Sequence, residues 1–418
     1  MRNFFGTMSI VAVSAAAAEA AMNTAAKLDT RMLVDMANMP KPNALREDNS
    51  DEMTGYEEAT EEINLGRRAG MSMRFSRMQA QHAAFILAYG MGDVASSDNG
   101  SGTYLHLIKP TGDIMPPSFT MGARIGANIV GQRFRGNIVD SFKLTIERDK
   151  FAVLEAEILG SGALDTDYVD ETLTASGTAT TLTLANAVLD DDAENVQSVA
   201  CELASGTWTE TTCTGASGTA ITVTAIAGAS GTAKSWRVQY RTEQAWSALP
   251  AAVTEERLKM TDLTISIGGK FSLSGTAVTY SGGKSFGGGV TGFTWSYENA
   301  SQIYGTPAGT GAYANEAIRG KRKQTLTLNR QLRDYIVQHL RDEVEYFTVR
   351  ATLASENTFV GAHKYTVDLI WPRVVVRSAE LGDDDGKLTE AAEIAVKEDA
   401  TYGSVVAIIK NAVEEYAS

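Results

Sequence analysis

The residue types that most often carry chemistry are few in this chain and are not grouped. It contains four histidines, which are His82, His106, His339 and His363. None of them stands at metal-ligand spacing to another histidine or to a cysteine, and no nucleophile motif surrounds a serine, cysteine or threonine. The glycine-rich run 282–289 precedes neither a Lys-Ser/Thr pair nor a helix, as a phosphate-binding loop would require. The acidic turn 383–386 has Leu381 where a calcium loop needs a carboxylate, so we expect a solvated turn. These patterns favour a protein that is not an enzyme and has no metal or cofactor.

The composition is that of an acidic, globular protein with several domains. A length of 418 residues suggests two to four domains, and a hydrophobic content of 44% is enough for a sizeable core. The formal net charge of −14 argues against a nucleic-acid-binding outer surface, although it does not exclude a surface past which DNA slides. The two cysteines, Cys201 and Cys213, favour folding in a reducing cytoplasm, where they either face each other on neighbouring strands or stay buried as free thiols.

One order of elements occurs twice, first at 66–110 and again at 320–372. Each copy opens on a basic turn, continues through an alternating strand and a helix, and closes on a strand ending Leu-Ile-x-Pro. The first predicted helix runs from Met78 to Gly90. The second runs from Asn329, as the N-cap, to Leu340, with apolar residues every four positions. We interpret this order as an internal duplication of one β-rich domain.

The remaining segments complete a mainly β chain with few helices. Residues 1–62 are predicted to be an N-terminal arm and connector. Their first 22 residues resemble a secretory signal, but the apolar run is too short to span a membrane, and we expect an alanine-rich arm that packs on a neighbour. The duplicated domains are placed at 63–164 and 255–418. Between them, 165–254 contains three Ala-Ser-Gly-Thr-Ala turns between short alternating runs, which predicts an inserted β-sandwich.

Four stretches of the chain carry a family resemblance: Phe293–Asn299, Arg319–Leu340, Tyr365–Glu380 and Leu388–Asn411. They resemble the tail tube (major tail) proteins of long-tailed bacteriophages. The resemblance covers both duplicated domains, whereas the arm and the insert depart from a minimal tube protein. It implies tandem tail-tube domains, each a barrel-forming β-sandwich with one flanking helix. It also implies that the insert is an immunoglobulin-like module, a common decoration of the tube exterior in this family.

The resemblance implies a structural virion protein that assembles in the host cytoplasm into the phage tail. Such domains join their sheets side by side into rings, and the rings stack into a hollow tube through which the genome leaves. A chain with two domains fills two of six positions, so trimeric rings with pseudo-sixfold symmetry are expected, and hexameric rings are the alternative. The implied partners are further copies of the chain, the tape-measure protein and other tail proteins, and double-stranded DNA that passes without sequence-specific binding. No membrane insertion is expected.

An acidic balance suits such a conduit, because every phosphate contact from lysine or arginine adds affinity and drag. We therefore expect the strand faces along the lumen to carry acidic or small polar side chains. The best lumen-facing candidates are Glu147, Glu155, Glu157, Asp368, Glu390 and Glu393. For any one of them, an outward solvated position is nearly as good an interpretation. The basic clusters are predicted to pair with carboxylates of an adjacent ring, and their members are Arg67, Arg68, Lys321, Arg322 and Lys323.

Two other classes of protein stay open at this point. The first is a secreted or cell-surface β-sandwich adhesin or carbohydrate-binding protein, favoured by the signal-like start and the Thr/Ser/Gly-rich insert. It would be processed near Ala20, whereas the charged helix predicted at 329–342 counts against it. The second is an enzyme such as a glycan hydrolase. It would need a cleft with two carboxylates about 5 to 10 Å apart, which the sequence does not indicate.

Overall fold

The structure confirms the mainly β fold class. The computed structural model describes residues 9–35, 38–53, 56–126, 129–286, 289–305, 313–384 and 386–418. Strand accounts for 57% of the chain and helix for 7%, so β-sheets must provide the framework. Among the described residues there are two α-helices, α1 (Ala80–Met91) and α2 (Ile336–Asp342).

The strands are numbered in chain order. The first half of the chain contributes β1 (Ile10–Val13), β2 (Thr30–Met32), β3 (Lys41–Asp48), β4 (Glu62–Phe75), β5 (Gly92–Asp98), β6 (Tyr104–Pro110), β7 (Phe119–Ile125), β8 (Val130–Glu147), β9 (Val153–Thr166), β10 (Tyr168–Ser176), β11 (Thr181–Thr183), β12 (Val196–Ala204), β13 (Thr207–Thr211) and β14 (Cys213–Ser217). The second half contributes β15 (Ala220–Val223), β16 (Ala233–Arg241), β17 (Leu263–Ile267), β18 (Lys270–Ser274), β19 (Ala277–Ser281), β20 (Lys284–Ser285), β21 (Val290–Glu298), β22 (Gln302–Tyr304), β23 (Glu316–Ile318), β24 (Lys323–Gln331), β25 (Phe347–Val360), β26 (His363–Asp384), β27 (Lys387–Val396) and β28 (Val406–Asn411).

The chain forms two compact units. The small unit contains residues up to 12, 122–134 and 164–250, and the large unit contains 13–121, 135–163 and 251–418. The large unit therefore includes the strands of both segments that the sequence analysis treats as separate tail-tube domains.

The small unit is built on two sheets that share one core. Strands β10, β16, β12 and β13 form one sheet in that order, and β11, β15 and β14 form the other. Trp236 and Val238 of the first sheet and Ile221 of the second are buried in a common cluster. Cys201 and Cys213 belong to different sheets and are free thiols, the first buried and the second partly buried. The alternative of two free cysteines is thus the observed one.

The large unit contains an eight-stranded antiparallel sheet and a second sheet. The order in the eight-stranded sheet is β3-β4-β9-β8-β21-β24-β27-β26. The second sheet runs β20-β17-β25-β26-β28-β6-β5. Both sheets thus contain β26. Its Thr366–Ile370 segment pairs with β28, and its Val374–Asp384 segment pairs with β27. Pro372 lies between these segments, where the missing N–H breaks no ladder bond.

The first helix lies where the sequence places it, and the second does not. Helix α1 is buried along its length and ends at Met91, with Gly92 in the left-handed conformation as its C-cap. The prediction that a helix begins at Asn329 is wrong. Residues 329–331 continue strand β24, and α2 begins only at Ile336. The segment continues as a strand because the alternation of a strand turns Leu328 and Arg330 toward the core, where both side chains are buried.

The described part of the N-terminal arm is extended and not helical. Ile10–Val13 is a strand, and Val11, Ala12 and Val13 are buried. Within the large unit, Ala15 and Ala16 accept backbone hydrogen bonds from the C-terminal residues Ala417 and Ser418. Residues 11–13 of the arm are therefore covered by their own chain, whereas the sequence predicts packing on a neighbour. The segment predicted as an exposed connector forms the β3–β4 hairpin, whose first strand is exposed along almost its whole length.

A carboxylate far away in sequence caps the start of α1. The Glu255 Oε2 atom accepts a hydrogen bond from the Gln81 backbone N–H at 2.7 Å. Burial raises the pKa of Glu255 from 4.5 to about 7. In the same turn, His82 stacks on Phe75 with ring centroids 4.1 Å apart. Burial, and to a lesser degree the Arg257 charge, lowers the pKa of His82 to about 3. The two groups are thus shifted in opposite directions.

We expect the Glu255→Gln and His82→Asn variants to have opposite pH dependence of the free energy of unfolding. The stability linked to Glu255 is complete below pH 4.5 and is lost as the pH rises through about 7, because the folded pKa is raised. The stability linked to His82 is complete above pH 6.5 and is lost as the pH falls, because its folded pKa is lowered. Each shift corresponds to at most about 3 to 5 kcal/mol, at roughly 1.4 kcal/mol per unit.

Urea unfolding of the monomeric variants at several pH values between 4.5 and 6.5 measures the pH dependence of their free energy of unfolding. In Glu255→Gln the remaining His82 should make stability rise with pH across that range. In His82→Asn the remaining Glu255 should make it fall. Slopes of the same sign in the two variants would contradict the prediction.

Candidate lumen and assembly surface

The eight-stranded sheet has one apolar and one polar face. Phe142, Leu144 and Ile146 of β8 point to the core and are almost fully buried. In β21 the core residues are Phe293, Trp295 and Tyr297, and in β24 they are Leu326 and Leu328. Because side chains alternate along a strand, the residues between them line the opposite face. We call this opposite surface the polar face.

Hydroxyl groups and charged groups share the polar face. Its inner strands carry Thr145, Thr294, Ser296, Thr325 and Thr327, and the pairings Ser296–Lys143 and Thr327–Glu393 place charged groups beside them. An open groove of about 470 Å³ crosses this face between Glu157 of β9 and Thr325 of β24. The inner strands of the face therefore present hydroxyl and charged groups to solvent.

Most carboxylates on the polar face are paired with a cation of the same chain. The ion pairs are Glu147–Lys150 at 2.6 Å, Glu155–Arg74 at 3.2 Å, Glu298–Lys323 at 4.0 Å and Glu393–Arg377 at 3.3 Å. Among the described residues, Glu157 and Lys143 have no ion pair of their own. The polar face thus carries both acidic and small polar side chains, and its carboxylates are largely balanced by cations of the same chain.

Four of the six predicted lumen-facing carboxylates lie together on the polar face, and they are Glu147, Glu155, Glu157 and Glu393. The structure does not bring Glu390 there. It lies on the core side, fully buried, with its Oε2 atom 2.6 Å from the Arg330 Nε atom. Asp368 belongs to the part of β26 in the second sheet and pairs with Arg350 at 2.7 Å. Both are buried because each neutralises an arginine that reaches into the interior.

The predicted basic clusters lie at one end of the eight-stranded sheet. Pairing of β4 with β9 stops at Ala69, so Arg67 and Arg68 belong to the part of the β3–β4 hairpin that projects beyond the sheet. Lys323 pairs with Glu298 at the same end of β24. We call this end the arm end. The opposite end carries the β8–β9 turn and the tip of the β26–β27 hairpin, and we call it the turn end.

The side chains of the basic clusters differ in their exposure and in their hydrogen bonds within the chain. Lys321 and Arg67 are exposed, and the partly exposed Arg68 donates to the carbonyl of Arg67 at 2.9 Å. Arg322 instead donates to the carbonyl of Thr111 within its own chain. Arg319, the first residue of the same basic turn, likewise donates to the carbonyls of Asp113 and Gly112.

The two borders of the eight-stranded sheet lack a further paired strand along most of their length. Among the described residues, β3 has a register with β4 alone, and the Val374–Asp384 segment of β26 has one mainly with β27. Helix α2 touches this border through Gln338 and Arg341, which donate to the carbonyl of Ala379 at 3.1 and 3.3 Å. Open borders present unpaired backbone groups, which are templates for pairing with another strand.

The histidines and acidic residues of the described part of the chain are dispersed. No three His, Cys, Asp or Glu side chains there are grouped to hold a metal ion. The two ring nitrogens of His106 form hydrogen bonds with the side chains of Ser96 at 2.8 Å and Asn411 at 3.1 Å, so this histidine has a structural role. No helix of the described residues is long and apolar enough to cross a membrane. A scan against protein-family models matches none of them, and a search of curated proteins returns no match.

Proposed function

We propose that this protein is a self-assembling structural protein whose copies join sheet border to sheet border into a ring, as in a bacteriophage tail tube. The observation that carries the proposal is a four-strand order that occurs twice in one continuous sheet. The first four strands are β3-β4-β9-β8, and the next four are β21-β24-β27-β26.

Each strand has a counterpart four places along. Strands β4 and β24 both lead into a helix, α1 and α2 respectively. The last two strands of each block form a hairpin whose order in the sheet is the reverse of its order in the chain. These hairpins are β9-β8 in the first block and β27-β26 in the second. Because all pairings are antiparallel, strands four places apart also run in the same direction. The sheet thus consists of two equivalent four-strand blocks side by side.

The junction between the blocks is a template for the junction between copies. Inside the chain, the last strand of block one, β8, pairs with the first strand of block two, β21, over seven residues from Ser141 to Glu147. The last strand of block two, β26, and the first strand of block one, β3, are the two open borders. A second copy that repeats the internal junction would pair its β3 with β26 of the first. Repetition of that step closes a ring and removes both borders.

Three copies give a ring of plausible size for duplex DNA. Three chains of eight strands make 3 × 8 = 24 strands and six four-strand blocks, which supports the trimer with pseudo-sixfold symmetry over the hexamer. At about 4.8 Å between strands, 24 strands give a circumference of about 115 Å and a mean diameter of about 37 Å before tilt. The polar face lines the lumen of such a ring, because the other face is covered by the core.

The charge balance of the polar face suits passage of a polyanion. Cations that neutralise phosphates add affinity and drag, and here Arg74, Lys323 and Arg377 are already engaged by carboxylates. Hydroxyl groups fill much of the remaining surface. We infer that DNA slides because few cations are free to grip it, and not because a strong negative field repels it. In this proposal the virion tail is the place of function.

Electron microscopy of the purified chain tests the proposal. Rings with a central hole are expected, with a mass near 3 × 44.7 = 134 kDa by native mass spectrometry. A protein that stays a 44.7 kDa monomer at every concentration would refute it, and processing near Ala20 would favour an adhesin instead.

Hydrogen exchange should locate the ring contacts. On assembly, backbone amides of β3 and of Val374–Asp384 in β26 should slow by at least tenfold, because new ladder bonds form there. Strand β5 is a matched control, since it borders the second sheet and has a register only with β6. Equal protection of β5 and β3 would show that assembly does not use the proposed borders.

A further inference from the structure

Helix α2 is held in the large unit far more lightly than helix α1. All 12 residues of α1 are buried, whereas α2 buries Val337 and Gln338 out of its 7 residues. The segment 342–346, which ends α2 and follows it, is exposed throughout. An element with so little buried surface opens locally at a small cost in free energy. What α2 contacts at the β26 border therefore bears on assembly.

The junction between β8 and β21 shows which backbone groups a sheet border uses. The Asp140 carbonyl accepts a hydrogen bond from the Asn299 N–H at 2.8 Å, and the Arg148 N–H donates to the Thr291 carbonyl at 3.1 Å. Because the strand period is two, every second residue of β8 between these points directs its backbone groups toward β21. These residues are the core-facing Phe142, Leu144 and Ile146. Core-facing residues of the last strand of a block thus present their carbonyls to the neighbouring strand.

Ala379 is a core-facing residue on the open border of β26. It lies opposite the buried Ala392 of β27, and its own side chain is almost fully buried. Its carbonyl therefore corresponds to those of β8 that face the next strand. Gln338 Nε2 and Arg341 Nη1 of α2 both donate to this oxygen, at 3.1 and 3.3 Å. Because a carbonyl oxygen has two lone pairs, these two donors satisfy it completely.

The two donors are anchored differently. Gln338 is buried and also donates to Glu390 Oε1 at 2.7 Å, which ties its part of α2 to the interior. Arg341 reaches the border from the last turn, and it also bonds to the carboxylate of the adjacent Asp342. The Arg341 side chain is 36% exposed. The last turn of α2 can therefore leave the border while the buried part of the helix stays in place.

The backbone just after α2 is strained. Val344 follows the C-cap Glu343 and has a φ of 53°, in the left-handed region, although its side chain is exposed. A β-branched residue strongly disfavours this conformation, which persists only where surrounding contacts impose it. Release of Arg341 from the border lets this backbone return to an ordinary φ. The docked arrangement thus favours its own release.

We propose that α2 is an autoinhibitory cap on the β26 border, whose last turn must release the Ala379 carbonyl before a second copy pairs its β3 there. The inference rests on the proposed function, because it takes β26 to be a ring border. In the docked state the acceptor that a second copy needs is already satisfied. An approaching β3 must displace Arg341, so ring formation competes with a contact inside the chain. A border covered by a helix is also protected from pairing with wrong strands.

Two substitutions should shift the threshold for ring formation in opposite directions. Arg341→Ala removes a donor from the border and should lower the protein concentration at which half the chains are in rings by at least threefold. Val344→Gly relieves the left-handed strain of the docked state and should raise that concentration by at least threefold. Sedimentation velocity measures both thresholds.

Each substitution has a matched control that should stay close to the wild-type threshold. Arg333→Ala removes an exposed arginine that bonds to Gln331 at 3.0 Å and not to the border. Val344→Ala removes the same apolar side chain as the glycine variant but keeps the Cβ that causes the strain. Thresholds for Arg341→Ala and Val344→Gly that equal the wild-type value, or that move in the same direction, would overturn the inference.

Hydrogen exchange separates release of α2 from a merely structural role. The Glu343 and Val344 amides bond to the carbonyls of His339 and Arg341. In wild-type rings these amides should exchange at least tenfold faster than in the monomer, while β26 becomes slower. Equal or slower exchange of these amides in rings would show that α2 stays docked and would overturn the inference alone. Absence of rings from wild type and Arg341→Ala alike would refute the proposed function on which the inference rests.

Discussion

Replacement of Ala44 by proline should leave the monomer folded and prevent ring closure. Position 42 is already a proline within β3, and a proline in a strand is tolerated where its nitrogen points away from the neighbouring strand. Because the strand period is two, the N–H of Ala44 points the same way as that nitrogen, toward the open border. The variant removes an N–H donor that the β26 border of a second copy needs. The pyrrolidine ring of the new proline also occupies the space in which that border would pair.

The effect on assembly should be large because every ring junction is affected. Loss of one backbone hydrogen bond costs about 1 kcal/mol, and the steric conflict adds to it, so each junction weakens by roughly tenfold or more. Asn43→Pro is the matched control. Its N–H points toward β4, so this variant should destabilise the β3–β4 hairpin in the monomer. Sedimentation velocity and urea unfolding distinguish the two, and wild-type rings from Ala44→Pro would contradict the proposed border.

Removal of the Glu390 carboxylate should strongly destabilise the eight-stranded sheet. The Arg330 guanidinium is 2% exposed, and Glu390 bonds both to it and to Gln338 Nε2, at 2.6 and 2.7 Å. Breaking a buried ion pair leaves an uncompensated charge and costs about 3 to 5 kcal/mol. Asp334, 3.0 Å from Arg330 Nη1, retains part of the compensation, so about 3 kcal/mol is expected for Glu390→Leu.

Glu393→Leu is the matched control for this prediction. It lies three residues further along β27, on the polar face, with its side chain 43% exposed and paired with Arg377. An exposed pair of this kind contributes about 1 kcal/mol or less. The double variant Glu390→Leu, Arg330→Leu should recover part of the loss, because no charge is then buried alone. Equal unfolding free energies for the two single variants would show that Glu390 is not held as described.

The spacing of apolar residues predicts the alternating strand of each repeated segment correctly. These strands are β4 and β24, in which Met71, Met73 and Phe75 of the first, and Leu326 and Leu328 of the second, form one buried face. The spacing also indicates that Glu390 and Glu393 lie on opposite faces of the sheet. They are three residues apart in one strand, an odd number, so they cannot share a face. The apolar residues Ala392 and Ile394 lie two and four positions after Glu390, so Glu390 shares their buried face.

Other features depend on contacts that sequence spacing does not encode. Asp368 sits among apolar residues of β26, and its burial is explained by Arg350 and Thr352, 18 and 16 positions earlier, which both donate to its carboxylate. The Asn329–Leu340 stretch has helical spacing, yet its first residues follow strand phase because β27 pairs with them. The cap that Glu255 supplies to α1 joins residues 174 apart in the chain. Long-range pairing of this kind overrides local propensity.

The membership of β26 in both sheets has a mechanical consequence. This strand leaves β28 after Ile370 and takes up β27 from Val374 without a chain break, with Pro372 at the change. In the proposed ring, covalent bonds, and not packing alone, tie the wall that bears the circumferential tension to the layer behind it. Sliding of the two layers cannot relieve a radial strain in that wall, which must be carried along one continuous backbone. The same backbone leads into the β26–β27 hairpin at the turn end, so this tension also reaches the end of the sheet.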